Sequence, residues 1–236
     1  MARACVFDVN ETLLDLGALD PRFESVFGDA AVRREWFLQM LQNAFVATIT
    51  DTYSDFGALG GAALTMVAER QSVDLSDDDS QHILSGMREL PPHPEVEEGL
   101  HRLKNAGFRL AALTNSTQQV AEAQLEYSRL DGYFERILSA DTVQRLKPAP
   151  EPYRMAAESL GVDVNGIRLI AAHAWDVAGA LRAGCAAAFV ARPGMVFDPL
   201  VEPPDVIGTN LLKVADRIIE AEAHDSTSPQ GRLDES

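Results

Sequence analysis

Along most of the chain, short apolar runs alternate with stretches of helical periodicity. The run ACVFDV (Ala4 to Val9) is apolar up to Asp8 and is followed by Asn10, Glu11 and Thr12. An apolar run of that length, bounded by polar residues, predicts a buried strand of a parallel sheet. Residues 29–50 place Val32, Trp36, Met40, Ala44 and Ala47 at helical spacing. Residues 55–70 and 76–90 also read as helices, the second opening on SDDD, whose acids suit the positive end of a helix dipole. Segment 15–90 is therefore expected to be helix-rich and free of strands.

Pro91, Pro92 and Pro94 interrupt this pattern, since a residue before proline is pushed out of helix. A regular alternation follows. A helix over 94–106 ends at Gly107, and the strand FRLAALTN comes next. Then come a helix over 117–129, a short strand at ILSA, and a helix over 150–160 ending near Gly161. The strand RLIAAHA leads to a helix over 175–183 ending at Gly184, and then to the strand AAAFVA. LLKVADRIIEAEA closes the series as a helix, and the polar DSTSPQGRLDES is expected to fray. There is no internal repeat. Alternating strands and helices imply right-handed βαβ units and an α/β fold built on a doubly wound parallel sheet. The expected organisation is a core of residues 1–14 and 91–222, a helical insertion over 15–90 and a flexible tail over 223–236.

Composition narrows the function. With 46% apolar and 24% charged residues, the chain is ordinarily globular. Its 20 Lys and Arg against 36 Asp and Glu give a formal net charge of −16. That charge repels phosphate backbones and anionic membrane surfaces, so nucleic-acid or membrane binding is not expected. No apolar run reaches the ~18 residues of a membrane span, and MARACVFDVNETLL has no secretory h-region. Cys5 and Cys185 sit in apolar stretches without metal-ligand spacing, as buried reduced thiols of a cytoplasmic protein would. The same acidity sets a problem for any anionic substrate. Salt screening over a Debye length of ~8 Å confines that problem to charges near the site.

In open α/β sheets, ligands bind at the carboxyl ends of strands. Here those ends carry Asp8 with Asn10 and Thr12, then Thr114 with Asn115 and Ser116, then His173 with Asp176. Lys147 lies in the loop RLKPAPEPY. Taken singly, Asp8 or Asp176 is explained as a helix cap, Thr114 as a turn residue and Lys147 as a solvated side chain. Together, in this order and spacing, they read as one site.

In these residues the chain resembles the haloacid dehalogenase superfamily: FDVNETLLD as its first motif, LTNS as its second, Lys147-Pro148 as its third, and a fourth ending at Asp176. The resemblance covers nearly the whole chain. It implies a Rossmann-like core, a helical cap inserted after the first motif, and Asp8 as a nucleophile. Phosphatases of the superfamily place a second Asp two residues after the nucleophile to protonate the leaving alkoxide. That position is Asn10, whose amide has no such proton to give. They also hold Mg²⁺ with an acid at the start of the fourth motif, where this chain has Ala171 and Ala172.

A carboxylate nucleophile without a partner acid suits a leaving group that needs no proton, such as halide. The chain is most similar to the type II (S)-2-haloacid dehalogenases, which use no metal. That resemblance implies that Asp8 attacks the halogen-bearing carbon, and that water then attacks the resulting ester carbonyl, with Asp176 orienting or deprotonating the water. Lys147 would keep Asp8 ionised, and Tyr153 would join the same network. Thr114 and the backbone N–H groups at Val9 and Asn10 would hold the substrate carboxylate. Asn115 and Trp175 match positions that line the dehalogenase pocket. Such enzymes are usually homodimers.

Three departures stand out. Phe37 occupies the place of a cap arginine that helps hold halide and substrate. Arg33 and Arg34, one turn earlier, either substitute for it or are solvated, and solvation is the preferred reading. In the fourth motif Ala171 and His173 stand at Ser and Asn positions. His173 either positions water or a small leaving group, or rests against Asp176 or a backbone carbonyl. Glu11 stands where glycine is common, with no consequence legible from the sequence. His82, His93 and His101 read as surface residues. Trp36, Phe37, Met40 and Phe45 read as packing between cap and core that could also form an apolar lid. Two other readings stay open: a Mg²⁺-dependent phosphatase, with Asp8 and Asp176 holding the ion, and an idle binding protein on the same fold.

Overall fold

A computed structural model describes residues 4–225, with side chains for residues 4–222. Six strands form one sheet: β1 (Ala4–Phe7), β2 (Arg109–Thr114), β3 (Arg136–Ser139), β4 (Ile167–Ala171), β5 (Ala186–Val190) and β6 (Val206–Gly208). Their order is β3-β2-β1-β4-β5-β6, and every pairing is parallel. The sheet winds out from β1 in both directions, so its crevice opens beyond the paired ends of β1 and β4, whose following connections lead to opposite sides. Asp8 and His173 follow those two strands.

Of the five helices between β1 and β2, four precede Pro91: α1 (Asp20–Phe27), α2 (Val32–Ile49), α3 (Phe56–Gln71) and α4 (Asp77–Ser85). The others are α5 (Val96–Asn105), α6 (Gln118–Tyr127), α7 (Pro150–Leu160), α8 (Ala174–Ala183) and α9 (Leu211–Asp225). Strand side chains alternate between the two faces of the sheet. Val6, Leu113 and Leu169 pack on Tyr153 and Ala156 of α7 and on Val177 and Ala180 of α8. Cys5, Phe7 and Ile170 face the other way, onto Leu100 of α5 and Val214 of α9, in a core that runs on into the inserted helices through Trp36, Phe56 and Leu64. Both cysteines are buried free thiols.

The expected elements are present with trimmed ends. The first strand stops at Phe7, with one further bond from Asp8 N–H to the Ile170 carbonyl, and the helix expected over 76–90 ends at Ser85 before a 3₁₀ turn. The expected helix start at Ser76 holds, with Ser76 and Asp79 forming a capping box, and the helix expected over 94–106 runs from Val96 to Asn105, with Glu97 and Glu98 in its first turn. Two elements are additional to the pattern. Helix α1 is eight residues long and β6 three, both too short for a periodic signal to emerge. Helix α9 runs to Asp225, past the expected tail boundary at 223; residues 226–236 of that expected tail lie outside the described residues.

Candidate active site

Asp8 sits one residue beyond β1 at the mouth of the crevice, and only 5% of it is exposed. Its Oδ1 accepts from Lys147 Nζ at 2.9 Å. The same ammonium donates to Asp176 Oδ2 at 2.6 Å and to the Leu113 carbonyl at 2.9 Å, so all three of its N–H groups are used. Lys147 is fully buried, which is tolerable only because its charge is paired twice. Asn115 fixes the loop that carries it: its Oδ1 accepts from Lys147 N–H at 2.8 Å, and its Nδ2 donates to the Lys147 carbonyl at 3.2 Å.

The other carboxylate oxygen of Asp8 also has two partners. Thr12 donates to Oδ2 at 2.6 Å, while its own hydroxyl oxygen accepts from Ala172 N–H at 2.9 Å. His173 Nδ1 lies 3.2 Å from Oδ2, and its Nε2 lies 3.0 Å from Glu11 Oε2. Glu11 reaches this position from a left-handed backbone, φ 60°, in the tight loop after β1. The imidazole is sandwiched by rings: Trp175 stacks on it with centroids 5.2 Å apart, and Phe37 lies 6.0 Å away.

Burial alone would favour the neutral acid of Asp8, but the charges of Lys147 and His173, with hydrogen bonds from His173 and Thr12, hold it well below the usual carboxylate range. Burial likewise disfavours the cationic forms of Lys147 and His173. The paired carboxylates overcome it, raising Lys147 and lifting His173 to about 9. Asp176 is raised by burial, with the Asp8 charge adding to it and Lys147 opposing. Burial and the neighbouring Asp176 push Tyr153 well above the phenol range. At neutral pH the centre is an ionised Asp8 between an ammonium and an imidazolium.

Asp8, Asn10, Phe37, Thr114, Asn115, Lys147, His173 and Trp175, eight of the residues singled out in the sequence, line one small cavity together with Leu41 and Phe56. Its volume is about 10 Å³, roughly the room of one water. Asp176, Tyr153 and Val9 stand back from it. Both oxygens of Asp176 are taken, one by Lys147 and one by the Tyr153 hydroxyl at 2.5 Å, so it faces Lys147 rather than the cavity. The Val9 side chain is buried in the sheet core, and its carbonyl accepts from Leu13 and Leu14 N–H. Asn10 is locked in orientation, its Nδ2 donating to Ser116 Oγ at 3.3 Å and its Oδ1 accepting from Gln124 Nε2 at 3.0 Å.

Several expectations need correction. Arg33 is not solvated: it is buried, hydrogen-bonded to Asp20 and 3.8 Å from Glu11 Oε1, so it braces Glu11 and does not reach the cavity. Arg34 is exposed, as expected. His173 rests on Asp8 and Glu11, neither on Asp176 nor on a carbonyl. His93 is half-buried, with Nε2 3.3 Å from the Glu11 carbonyl. Thr12 and Glu11 acquire roles that spacing alone does not assign. Among the described residues, no group of three or more His, Cys, Asp or Glu side chains is arranged to hold a metal ion.

A sequence profile of haloacid dehalogenase-like hydrolases matches residues 2–184. The chain is 32% identical to (S)-2-haloacid dehalogenase 4A from Burkholderia cepacia, over 81% of this chain and 84% of that one. It is 28% identical to haloacetate dehalogenase H-2 from a Moraxella species, over 86% and 91%. Its fold superposes on the L-2-haloacid dehalogenase of Xanthobacter autotrophicus with a TM-score of 0.87 at 22% identity, covering 92% of this chain and 98% of that one.

Proposed function

The chain belongs to the haloacid dehalogenase-like hydrolases, and from that membership and the geometry around Asp8 we propose that it hydrolyses the carbon–halogen bond of a short-chain 2-haloacid to give a 2-hydroxy acid. One observation carries the choice of leaving group. The residue two after the nucleophile is Asn10, an amide fixed by Ser116 and Gln124, which supplies no proton to a departing alkoxide. Halide needs none.

Asp8 attacks the halogen-bearing carbon in line, forming the C–O bond of an ester as the halide leaves with the bonding electrons. Lys147 and His173 offset the charge of Asp8, so an anionic substrate meets local cations despite the overall acidity. Thr114 and the backbone after Asp8, around Val9 and Asn10, take the substrate carboxylate. The indole N–H of Trp175 is buried without a protein partner and is available to the halide. Asn115 holds the Lys147 loop beside it.

Water activation falls to His173, the titratable side chain between the ester and an orienting carboxylate. Esterification neutralises Asp8, so the imidazolium loses one anion and releases its proton to solvent. Neutral His173, its far nitrogen held by Glu11, takes a proton from water as the oxygen adds to Asp8 Cγ. The adduct collapses, breaking the bond from Cγ to the substrate oxygen, and that oxygen takes the proton from His173. The new Asp8 carboxyl then returns its proton to His173. Asp176 and Tyr153 keep Lys147 in place.

The reaction as written uses no metal. Both oxygens of Asp176 are already engaged, one by Lys147 and one by the Tyr153 hydroxyl, Lys147 also takes one oxygen of Asp8, and Ala171 and Ala172 offer no further ligand. These residues do not fit Mg²⁺, which argues against the phosphatase reading. The helices of segment 15–90, contributing Phe37, Leu41 and Phe56, act as the cap that keeps water out. Among the described residues no helix is long and apolar enough to cross a membrane. We read the protein as cytoplasmic, in keeping with its two free thiols, and as a homodimer. Ion chromatography of chloroacetate and 2-chloropropionate reactions tests the function: chloride should appear in EDTA as fast as without it. Phosphate release from p-nitrophenyl phosphate, with no chloride from either acid, would overturn it.

A further inference from the structure

Beside the reaction cavity lies a second and far larger one. It measures about 310 Å³ against about 10 Å³, and it sits between the inserted helices and α6. Its wall is mainly apolar, with Trp36, Met40, Leu84, Met87 and Val120. Phe56, the first residue of α3, lines both cavities and is 3% exposed. On either side of it the chain divides between the two spaces: Phe37 and Asn115 face the reaction cavity, while Trp36 and Ser116 face the chamber.

We propose that the Phe56 ring is a partition that confines turnover to the shortest 2-haloacids, and that the chamber behind it is an apolar subsite for the side chain of a longer 2-haloalkanoate, closed while the ring stands. This rests on the dehalogenase reading and adds a substrate range to it. At about 10 Å³ the reaction cavity must yield even to chloroacetate, and a butyl group on the reacting carbon would have to displace the Phe56 ring as well, whereas the chamber beyond that ring has space and an apolar wall. Each methylene transferred from water to such a wall favours the complex roughly fourfold. Removing the ring should therefore turn a steric penalty into a gain that grows with chain length.

The test compares kcat/KM for chloride release from chloroacetate and from 2-chlorohexanoate. Wild type should favour chloroacetate by roughly 100-fold. Phe56→Ala, or Phe56→Val should the alanine variant not fold, should narrow that ratio at least tenfold. Adding Val120→Trp, which fills the chamber from α6, should restore it. Wild type turning over both acids alike would overturn the proposal, as would a folded Phe56 variant with an unchanged ratio. Binding gives a readout separate from turnover: hexanoate should quench Trp36 fluorescence in Phe56→Ala/Trp175→Phe and not in Trp175→Phe alone. Quenching without chloride release from any acid would leave the chamber standing and remove the dehalogenase reading. Absence of quenching removes the chamber.

Discussion

His173 bridges two carboxylates, with Nδ1 3.2 Å from Asp8 and Nε2 3.0 Å from Glu11. A ring held this way is a cation while Asp8 is charged and a base once Asp8 is esterified. Its folded pKa, about 9, lies above its ordinary value, so its contribution to stability is full below about 6.5 and is lost as pH rises through about 9. The capture of an anionic substrate should follow the same sign. kcat/KM is expected to decline above about pH 9, and Glu11→Gln should move that limb to lower pH, as a pH–rate profile will show. In the same profile the hydrolytic half-reaction should weaken toward acid, where the esterified enzyme keeps His173 protonated.

Asp8→Asn should reduce halide release by ~10³-fold or more, because an amide is no nucleophile at neutral pH. His173→Ala should behave differently. It should still form the ester and then stall, so intact-protein mass after rapid quench should show a substrate adduct on Asp8 accumulating over several half-lives.

Attack of water at Asp8 Cγ makes an isotopic prediction. In a single turnover in ¹⁸O-water, the label should enter Asp8 and not the product hydroxyl, whose oxygen comes from the carboxylate. Mass spectrometry of the peptide containing Asp8 and of the hydroxy acid reads both. Label appearing in the product on the first turnover would mean direct attack by water on carbon.

Lys147→Met should be among the most damaging single changes. It removes the cation between two buried carboxylates, and breaking such a pair typically costs about 3–5 kcal/mol. Denaturant titration should show that loss, and it should shrink at low pH as the carboxylates are protonated. Tyr153→Phe is milder. It leaves one oxygen of Asp176 unpaired in the core, for about 1–3 kcal/mol, with the packing volume kept.

Asp8, Lys147 and Asp176 are legible in the sequence because strand ends and the loop after β3 bring polar residues to one edge of a sheet whose alternation is plain. Glu11 is not, because its role depends on a left-handed backbone and on contacts with His173 after β4 and Arg33 of α2, and spacing carries no such information. Arg33 lies on the stripe that includes Trp36 and Met40, yet a guanidinium there reads as solvated until its partners are known. Asp20 and Glu11 come from separate segments of the chain. The set-back positions of Asp176 and Tyr153 are equally hidden, since sequence places a residue at a strand end and says nothing of which neighbour it faces. Strand β6 escapes for a simpler reason: three residues have no period.

The two thiols bear on how such a protein survives its own chemistry. Haloacids alkylate cysteine, and they do so through the thiolate. Burial lifts Cys5 to about 12, and burial with the nearby Asp176 charge lifts Cys185 to about 12, so at neutral pH both stay in the unreactive thiol form. The carboxylate meant to be alkylated is ionised while both thiols are not. A chain handling electrophiles of this kind keeps its accidental targets chemically silent, and iodoacetate should leave both sulfurs untouched for as long as the fold persists.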